Sequence, residues 1–274
     1  MRIAVTGAGG FCGGVVARLA AEEGHDVVCV GRRPGPVGEH VFWDASTGTP
    51  DLAEADVVLH LAAAVGDSGS EREFAAVNVD GTQRLLDAAG TTQVVWVSSA
   101  SVYRPGPYRA PVTEDHPTDG QRTAYGRTKA AGERLALAAG KVVLRLRAVY
   151  GDGDPHLLPR LRRVVRGGRA WLPGPDVPLS LTSVCNLASA CLAAVAWAPG
   201  AYNIADAAAY SRDAAVAAVL GVPVRHLPVR LVRALASAAG ITPYAIDQVT
   251  DGMVLDIARA RATGWTPQAG LRTS

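Results

Sequence analysis

An α/β fold, with a doubly wound parallel sheet covered by helices on both faces, is what this 274-residue sequence predicts. Three observations predict it. Short apolar runs without polar alternation recur along the first half, as strands buried on both faces require. Helical segments separate these runs, and that βαβ order implies a parallel sheet. A glycine-rich turn joins the first strand to the first helix, at the sheet edge where such folds bind ligands.

In chain order, Arg2 to Val5 reads as a strand and Phe11 to about Glu23 as a helix. Asp26 to Val30, Val57 to Leu61 and Val94 to Ser98 are continuous apolar strands. Glu71 to Ala89 and Thr123 to Ala139 read as helices, and Lys141 to Val149 as a further strand. Beyond it, Pro and Gly cluster at 151–155 and 173–178 and punctuate shorter elements. The expected division is a main domain at 1–152 and, at 153–274, mainly a small C-terminal lobe, with some segments returning to the main domain. Strands near Ser180 and Tyr202 and helices around Asn186 to Trp197 are expected in that lobe.

Composition narrows the function. Hydrophobic residues make up 49% and charged residues 19%, enough for a full core. A formal charge of +2 without aromatic-basic interleaving argues against nucleic acid. The longest apolar stretch, Leu187 to Ala198, is too short to span a bilayer. Cysteines at 12, 29, 185 and 191 show no CxxC spacing, so neither a metal site nor a disulfide framework is expected. The N-terminus carries no signal-like apolar region, and a reduced, cytoplasmic setting is expected.

The turn itself is Thr6-Gly7-Ala8-Gly9-Gly10-Phe11-Cys12-Gly13. Glycines at 7, 10 and 13 permit a tight turn, close approach to a pyrophosphate and close helix packing. The helix start adds free N–H groups and a positive dipole end. Further on, Tyr125 and Lys129 stand four residues apart, which stacks them on one helix face. Lys129 is one of only two lysines in an arginine-rich chain. A compact ammonium there can lower a neighbouring phenol's pKa and still bind a ribose, which arginine does less well.

Together with His60-Leu61-Ala62-Ala63, Asn78-Val79-Asp80-Gly81-Thr82, Ser98 to Tyr103 and Arg145 to Gly151, these motifs resemble the extended short-chain dehydrogenases/reductases, the NAD-dependent epimerase/dehydratase group. The resemblance is dense over 1–152 and returns at Ala201 to Ile204 and Gly264 to Pro267. It implies a Rossmann domain followed by a substrate lobe. It places catalysis at Ser99, Tyr125 and Lys129, with Asn78 as a fourth member organising a relay water. Ser99 is chosen over Ser98 and Ser101 because it precedes Tyr103 by four residues. The implied cofactor contacts are Gly7, Gly9, Gly10, Phe11, Cys12, Gly13, Arg32, Arg33, Asp44, Leu61, Ala62 and Ala63, together with Tyr125 and Lys129.

After the second strand stands Gly31-Arg32-Arg33-Pro34, with no acidic residue to bind a ribose 2′-hydroxyl. Two guanidiniums can grip a 2′-phosphate, so NADP(H) is preferred, with NAD(H) possible. Ala148 stands where nucleotide-sugar members usually carry an Asn that touches substrate diphosphate. Ala148, Tyr150 and Tyr108, the last in the 104–122 loop, are the candidate substrate contacts. Arginines at 160, 162, 163, 166 and 169, with Leu157, Leu158, Leu161, Val164 and Val165, read as a solvated amphipathic helix face. The expected activity is NADPH-dependent reduction of a ketone on a small-molecule substrate. The alternatives are a nucleotide-sugar epimerase, dehydratase or 4-ketoreductase and, outside catalysis, an NADP-sensing regulator. A homodimer stays open.

Overall fold

The computed structural model describes residues 1–52, 54–66, 69–155, 157–236, 242–268 and 270–271. The first half runs β1 (Arg2–Thr6), α1 (Phe11–Glu22), β2 (Asp26–Gly31), β3 (Glu39–Phe42), β4 (Val57–His60), α2 (Glu71–Ala75), α3 (Gly81–Ala89), β5 (Gln93–Val97), α4 (Ala124–Ala138) and β6 (Val142–Leu146). Shorter elements follow: β7 (Val149–Tyr150), α5 (Leu157–Arg162), β8 (Val165–Arg166), β9 (Arg169–Pro173), β10 (Pro178–Leu179) and β11 (Thr182–Ser183). The chain continues through α6 (Val184–Ala193), β12 (Gly200–Ile204), β13 (Tyr210–Ser211), α7 (Arg212–Leu220), β14 (Val224–Leu227), α8 (Val229–Ala236), α9 (Pro243–Thr250) and α10 (Ala258–Arg261).

Seven parallel strands form one sheet in the order β12-β6-β5-β4-β1-β2-β3. The apolar runs are buried on both faces because helices cover both. Ile3, Val5, Leu59, Val95 and Leu144 pack towards Val16 of α1 and Leu187 of α6. Ala4, Val28, Val30, Val58 and Val94 pack the other way, towards Leu85 and Leu86 of α3. This is the Rossmann arrangement that the sequence predicts, and the C-terminal ends of its strands carry the site.

Four expectations need correction. The strand expected over 141–149 breaks at Ala148, which takes a positive φ of 46°. Thr182 causes the break: its Oγ1 donates to Arg147 O at 3.0 Å and accepts from Arg147 N at 3.4 Å, turning the chain towards β11. The strand at Tyr202 and the helix at Val184–Ala193 belong to the main layers, not the lobe. β12 completes the sheet beside β6, and α6 packs on α1. The helix expected over 71–89 contains a π turn at Ala76–Asp80. There Asn78 bonds the neighbouring loop, and Thr82 Oγ1 fills the Asn78 carbonyl at 2.9 Å. Finally, the arginine run is not one helix. α5 ends at Arg162, and Arg166 and Arg169 sit on the β8–β9 hairpin while Leu161 and Val164 pack on Ala170, Leu172 and Val216.

Candidate active site

The glycine turn is shaped to hold a phosphate. Gly7 has φ 72°, and a Cβ on it would lie 2.9 Å from Ala62 N. A Cβ on Gly13 would run into Gly7 O, so α1 can start this close to the strand only without a side chain there. Thr6 Oγ1 accepts from Leu61 N and Ala62 N, both at 3.1 Å, and so locks the 61–63 segment against the turn. Its partner His60 Nδ1, 2.7 Å away, is buried, and burial pulls the ring down to about pKa 3, with the nearby Lys129 adding to the shift. His60 is therefore a neutral structural ring. Gly9 and Gly10 are exposed, and α1 begins at Gly10 with no side-chain cap, which leaves first-turn N–H groups for an anion. This donor set fits a dinucleotide pyrophosphate.

Arg32 and Arg33 follow β2 at the same edge. Arg33 Nη2 donates to Gly9 O at 3.0 Å, and Arg32 is exposed. Asp44 approaches from beyond β3. Hydrogen bonds from Ser46 hold its carboxyl below the usual range, with smaller contributions from Arg32 and Arg84.

Across the cleft, Thr123 caps α4 by accepting from Gly126 N at 3.0 Å, and the first turn then presents Tyr125. Burial raises the Tyr125 pKa, while a hydrogen bond with Ser99 works against that shift. Cys12 of the glycine turn and Tyr244 of α9 both lie near enough to add to it. Ser99 ends β5, and its Oγ accepts from Ser101 N at 3.2 Å and pairs with Ser101 Oγ at 3.0 Å. Ser98 points the other way and donates to buried Glu133. Of the three serines, Ser99 is the one whose hydroxyl acts on the Tyr125 phenol, working against the rise in its pKa.

Two of the resemblance's roles are not visible in this geometry. Lys129 is not among the groups that shift Tyr125. Its Nζ donates to Val97 O at 2.8 Å and lies 3.7 Å from the Trp96 ring centroid. A buried ammonium needs acceptors, and the carbonyl at the end of β5 and the indole face supply them. Burial brings its pKa down to about 7, against a smaller upward pull from Glu133. The Asn78 amide, for its part, clamps backbone. Ala64 N donates to Oδ1 at 2.9 Å, and Nδ2 donates to Ala64 O at 3.1 Å and to Thr128 Oγ1 at 3.2 Å.

Beneath the site runs a buried polar chain. Arg145 Nη2 donates to Glu133 Oε1 at 2.6 Å, and Nη1 donates to Tyr103 OH at 3.0 Å and Glu114 O at 2.8 Å. Tyr103 OH donates in turn to Asn203 Oδ1 at 2.6 Å. This chain braces β6, α4 and β12 where the catalytic candidates stand.

Of the candidate substrate contacts, Tyr108 lines a cleft with Pro105, Arg147, Tyr244 and Gln248. Ala148 and Tyr150 are not part of its lining. The Tyr150 hydroxyl donates to Asp206 Oδ2 at 2.7 Å, in a clasp that also holds Tyr210, Asn186 and Ser183 N. Arg147 went unremarked in the sequence reading. The available signal was a second arginine, two residues after Arg145, in an otherwise apolar strand. Among the described residues no cluster of metal ligands occurs, and no helix is long and apolar enough to cross a membrane.

A glycine-turn phosphate cradle facing a serine–tyrosine pair across a parallel sheet defines an NAD(P)-dependent enzyme of the short-chain dehydrogenase/reductase type. Comparison with known proteins agrees. The family model for the NAD dependent epimerase/dehydratase family matches residues 3–205, and the chain belongs to that family. It is 34% identical over 232 residues to the 2-alkyl-3-oxoalkanoate reductase of Stenotrophomonas maltophilia, covering 73% of this chain and 67% of that one. It is 32% identical over 216 residues to the 4-hydroxy-2-methyl-3-oxo-4-farnesyl-3,4-dihydroquinoline-1-oxide ketoreductase of Stigmatella aurantiaca, covering 70% and 62%. The match thus spans about two thirds of the length of these curated relatives. Among solved structures, MoeE5 in complex with UDP-glucose and NAD superposes with a TM-score of 0.78 at 27% identity, over 99% of this chain and 95% of that one.

Proposed function

We propose that this enzyme reduces a ketone to an alcohol with NADPH. The observation that carries the reading is the Tyr125–Ser99 pair, in which burial keeps the phenol protonated. Protonated across the neutral range, the phenol can give a proton to a developing alkoxide, and the Lys129 ammonium drawn towards the bound cofactor would bring its pKa down towards the operating pH. Bound at the glycine turn, the dihydronicotinamide would supply the hydride. Ser99 would donate a hydrogen bond to the substrate carbonyl oxygen, and Tyr125 would give that oxygen its proton. Lys129, below the pair, would hold the cofactor ribose once it turns from Val97 O. Arg32 would meet the 2′-phosphate, with Arg33 bracing the turn through Gly9. The names of the two curated relatives, an oxoalkanoate reductase and a ketoreductase, support the reaction type.

A second reading, a nucleotide-sugar epimerase or 4-ketoreductase, draws on the UDP-glucose and NAD held by MoeE5. Against it stands Ala148, which offers no side-chain donor for a diphosphate. Tyr125→Phe tests the leading reading. Turnover should fall by about 10²–10⁴-fold, the usual share of a general acid, while NADPH affinity measured by fluorescence titration stays near the wild-type value. A variant that keeps most of its rate removes Tyr125 from the chemistry. An absorbance spectrum of the purified protein separates the two readings, since firmly retained cofactor favours the epimerase.

A further inference from the structure

We propose that Arg147 anchors a carboxylate of the substrate, so that the ketone reduced here is an oxo acid; this deepens, and rests on, the ketone-reduction reading. Arg145 lies in β6, and Arg147 stands one residue beyond the end of that strand, where the chain turns. Their surroundings differ sharply. Arg145 meets Glu133, Tyr103 and the Glu114 carbonyl at 2.6–3.0 Å. Arg147 forms no ion pair among the described residues. Its Nη1 lies 3.4 Å from Gln248 Oε1 and 3.6 Å from Met253 Sδ, and its Nη2 lies 3.4 Å from Gln248 O. Its Nε is buried with no hydrogen-bond partner at all.

Contacts of 3.4 Å sit at the outer limit of hydrogen bonding. A guanidinium offers five donors in a rigid planar fork and cannot shed its charge. Leaving such a group desolvated and underbonded is costly unless an anion completes it. Among the described residues no carboxylate does so. Two face the same cleft, but Asp247 is held by Arg122 and Arg233, each at 2.6 Å. Asp251 lies nearer Tyr108, whose pKa it helps to raise, and is not among the groups that act on Arg147. An oxyanion from outside the chain would complete it.

The cleft's position and the shape of the guanidinium say which kind. Tyr244 lines it beside Arg147, and Arg147 directly follows β6, whose C-terminal end lies at the sheet edge where such folds bind ligands. Ala148, the next residue, offers no side-chain donor to a diphosphate. The planar fork matches a carboxylate in bidentate fashion.

The test compares oxohexanoates bearing the ketone at the third, fourth or fifth carbon with their methyl esters, using NADPH and the wild-type, Arg147→Gln and Arg147→Lys enzymes. In the wild type, kcat/KM for at least one acid should exceed that for its ester. Arg147→Gln should take about ten- to a hundredfold from the acid, mainly through KM, and far less from the ester. Arg147→Lys, which keeps the charge but loses the fork, should recover part of that loss. Equal losses for acid and ester, or no preference in the wild type, overturn the proposal. If Arg147→Gln fails to fold, the wild-type acid-to-ester ratio and the Lys variant decide.

Calorimetry with hexanoate on the NADPH-bound protein gives a readout without turnover. Binding that depends on Arg147, with no ketone reduced, would keep the anchor and discard the ketone-reduction reading. Absence of hexanoate binding overturns the anchor. Micromolar binding of dTDP or UDP that is lost in Arg147→Gln would make the partner a diphosphate and overturn the carboxylate.

Discussion

In the main sheet, all strands except the edge strand β3 are buried over most of their length, whereas β8, β10 and β13 of the lobe are two residues long and partly exposed. The difference extends to charge. In the sheet half, the buried Arg145–Glu133 pair is fully bonded, with side chains only 5% and 3% exposed. Where the sheet meets the lobe, Arg147 has only long contacts and Ala148 holds a positive φ. The sheet half uses its polar groups to hold Ser99 and Tyr125 in place. The junction leaves donors unfilled and backbone strained, which is where substrate can complete the structure. On the proposed reading, precision of chemistry and choice of substrate would be carried by different parts of the chain.

The largest effect expected in this comparison is on the paired side. Glu133→Ala leaves Arg145 buried and uncompensated and should cost about 3–5 kcal/mol in urea denaturation. A loss below about 1 kcal/mol would mean that water already reaches the pair. The cofactor edge comes next. Arg32→Ala with Arg33→Ala should weaken NADPH about ten- to a hundredfold more than NADH, because only the 2′-phosphate uses charge-assisted bonds there. Equal weakening of both cofactors would make the arginines structural.

Lys129 gives an effect confined to a pH window. Its folded pKa, about 7, lies below its ordinary 10.5, so between these values the unfolded chain binds more protons. The penalty of burying the charge is complete below about pH 7 and is relieved as pH rises towards 10.5. Wild-type stability should therefore climb with pH across that window relative to Lys129→Met. Parallel stability curves for the two proteins would show that the ammonium is not buried in solution. The smallest effect is Ala148→Gly. Relieving a left-handed alanine should raise stability by about 1 kcal/mol, read as a higher midpoint in thermal denaturation. No gain would show that Thr182 holds the turn without strain.

Local signals carried much of this protein. Continuous apolar runs, glycines at 7, 10 and 13, and the four-residue step from Tyr125 to Lys129 depend only on neighbours in sequence, so they predicted the sheet, the phosphate turn and the shared helix face. The sequence also pointed to Ser99, whose hydroxyl is the one that acts on the Tyr125 phenol's pKa. What the tertiary structure decided involves partners far apart in the chain. Lys129 turns to Val97 O, 32 residues away, and Tyr150 is taken by Asp206, 56 residues away. β12 returns from beyond the lobe to close the sheet beside β6. Arg145 and Arg147 look alike in sequence. One is paired with Glu133, and the other reaches Gln248, 101 residues on, at the limit of a hydrogen bond. Pattern specifies that a charge lies in a buried strand, but whether that charge is satisfied depends on which distant side chains folding brings within about 3 Å.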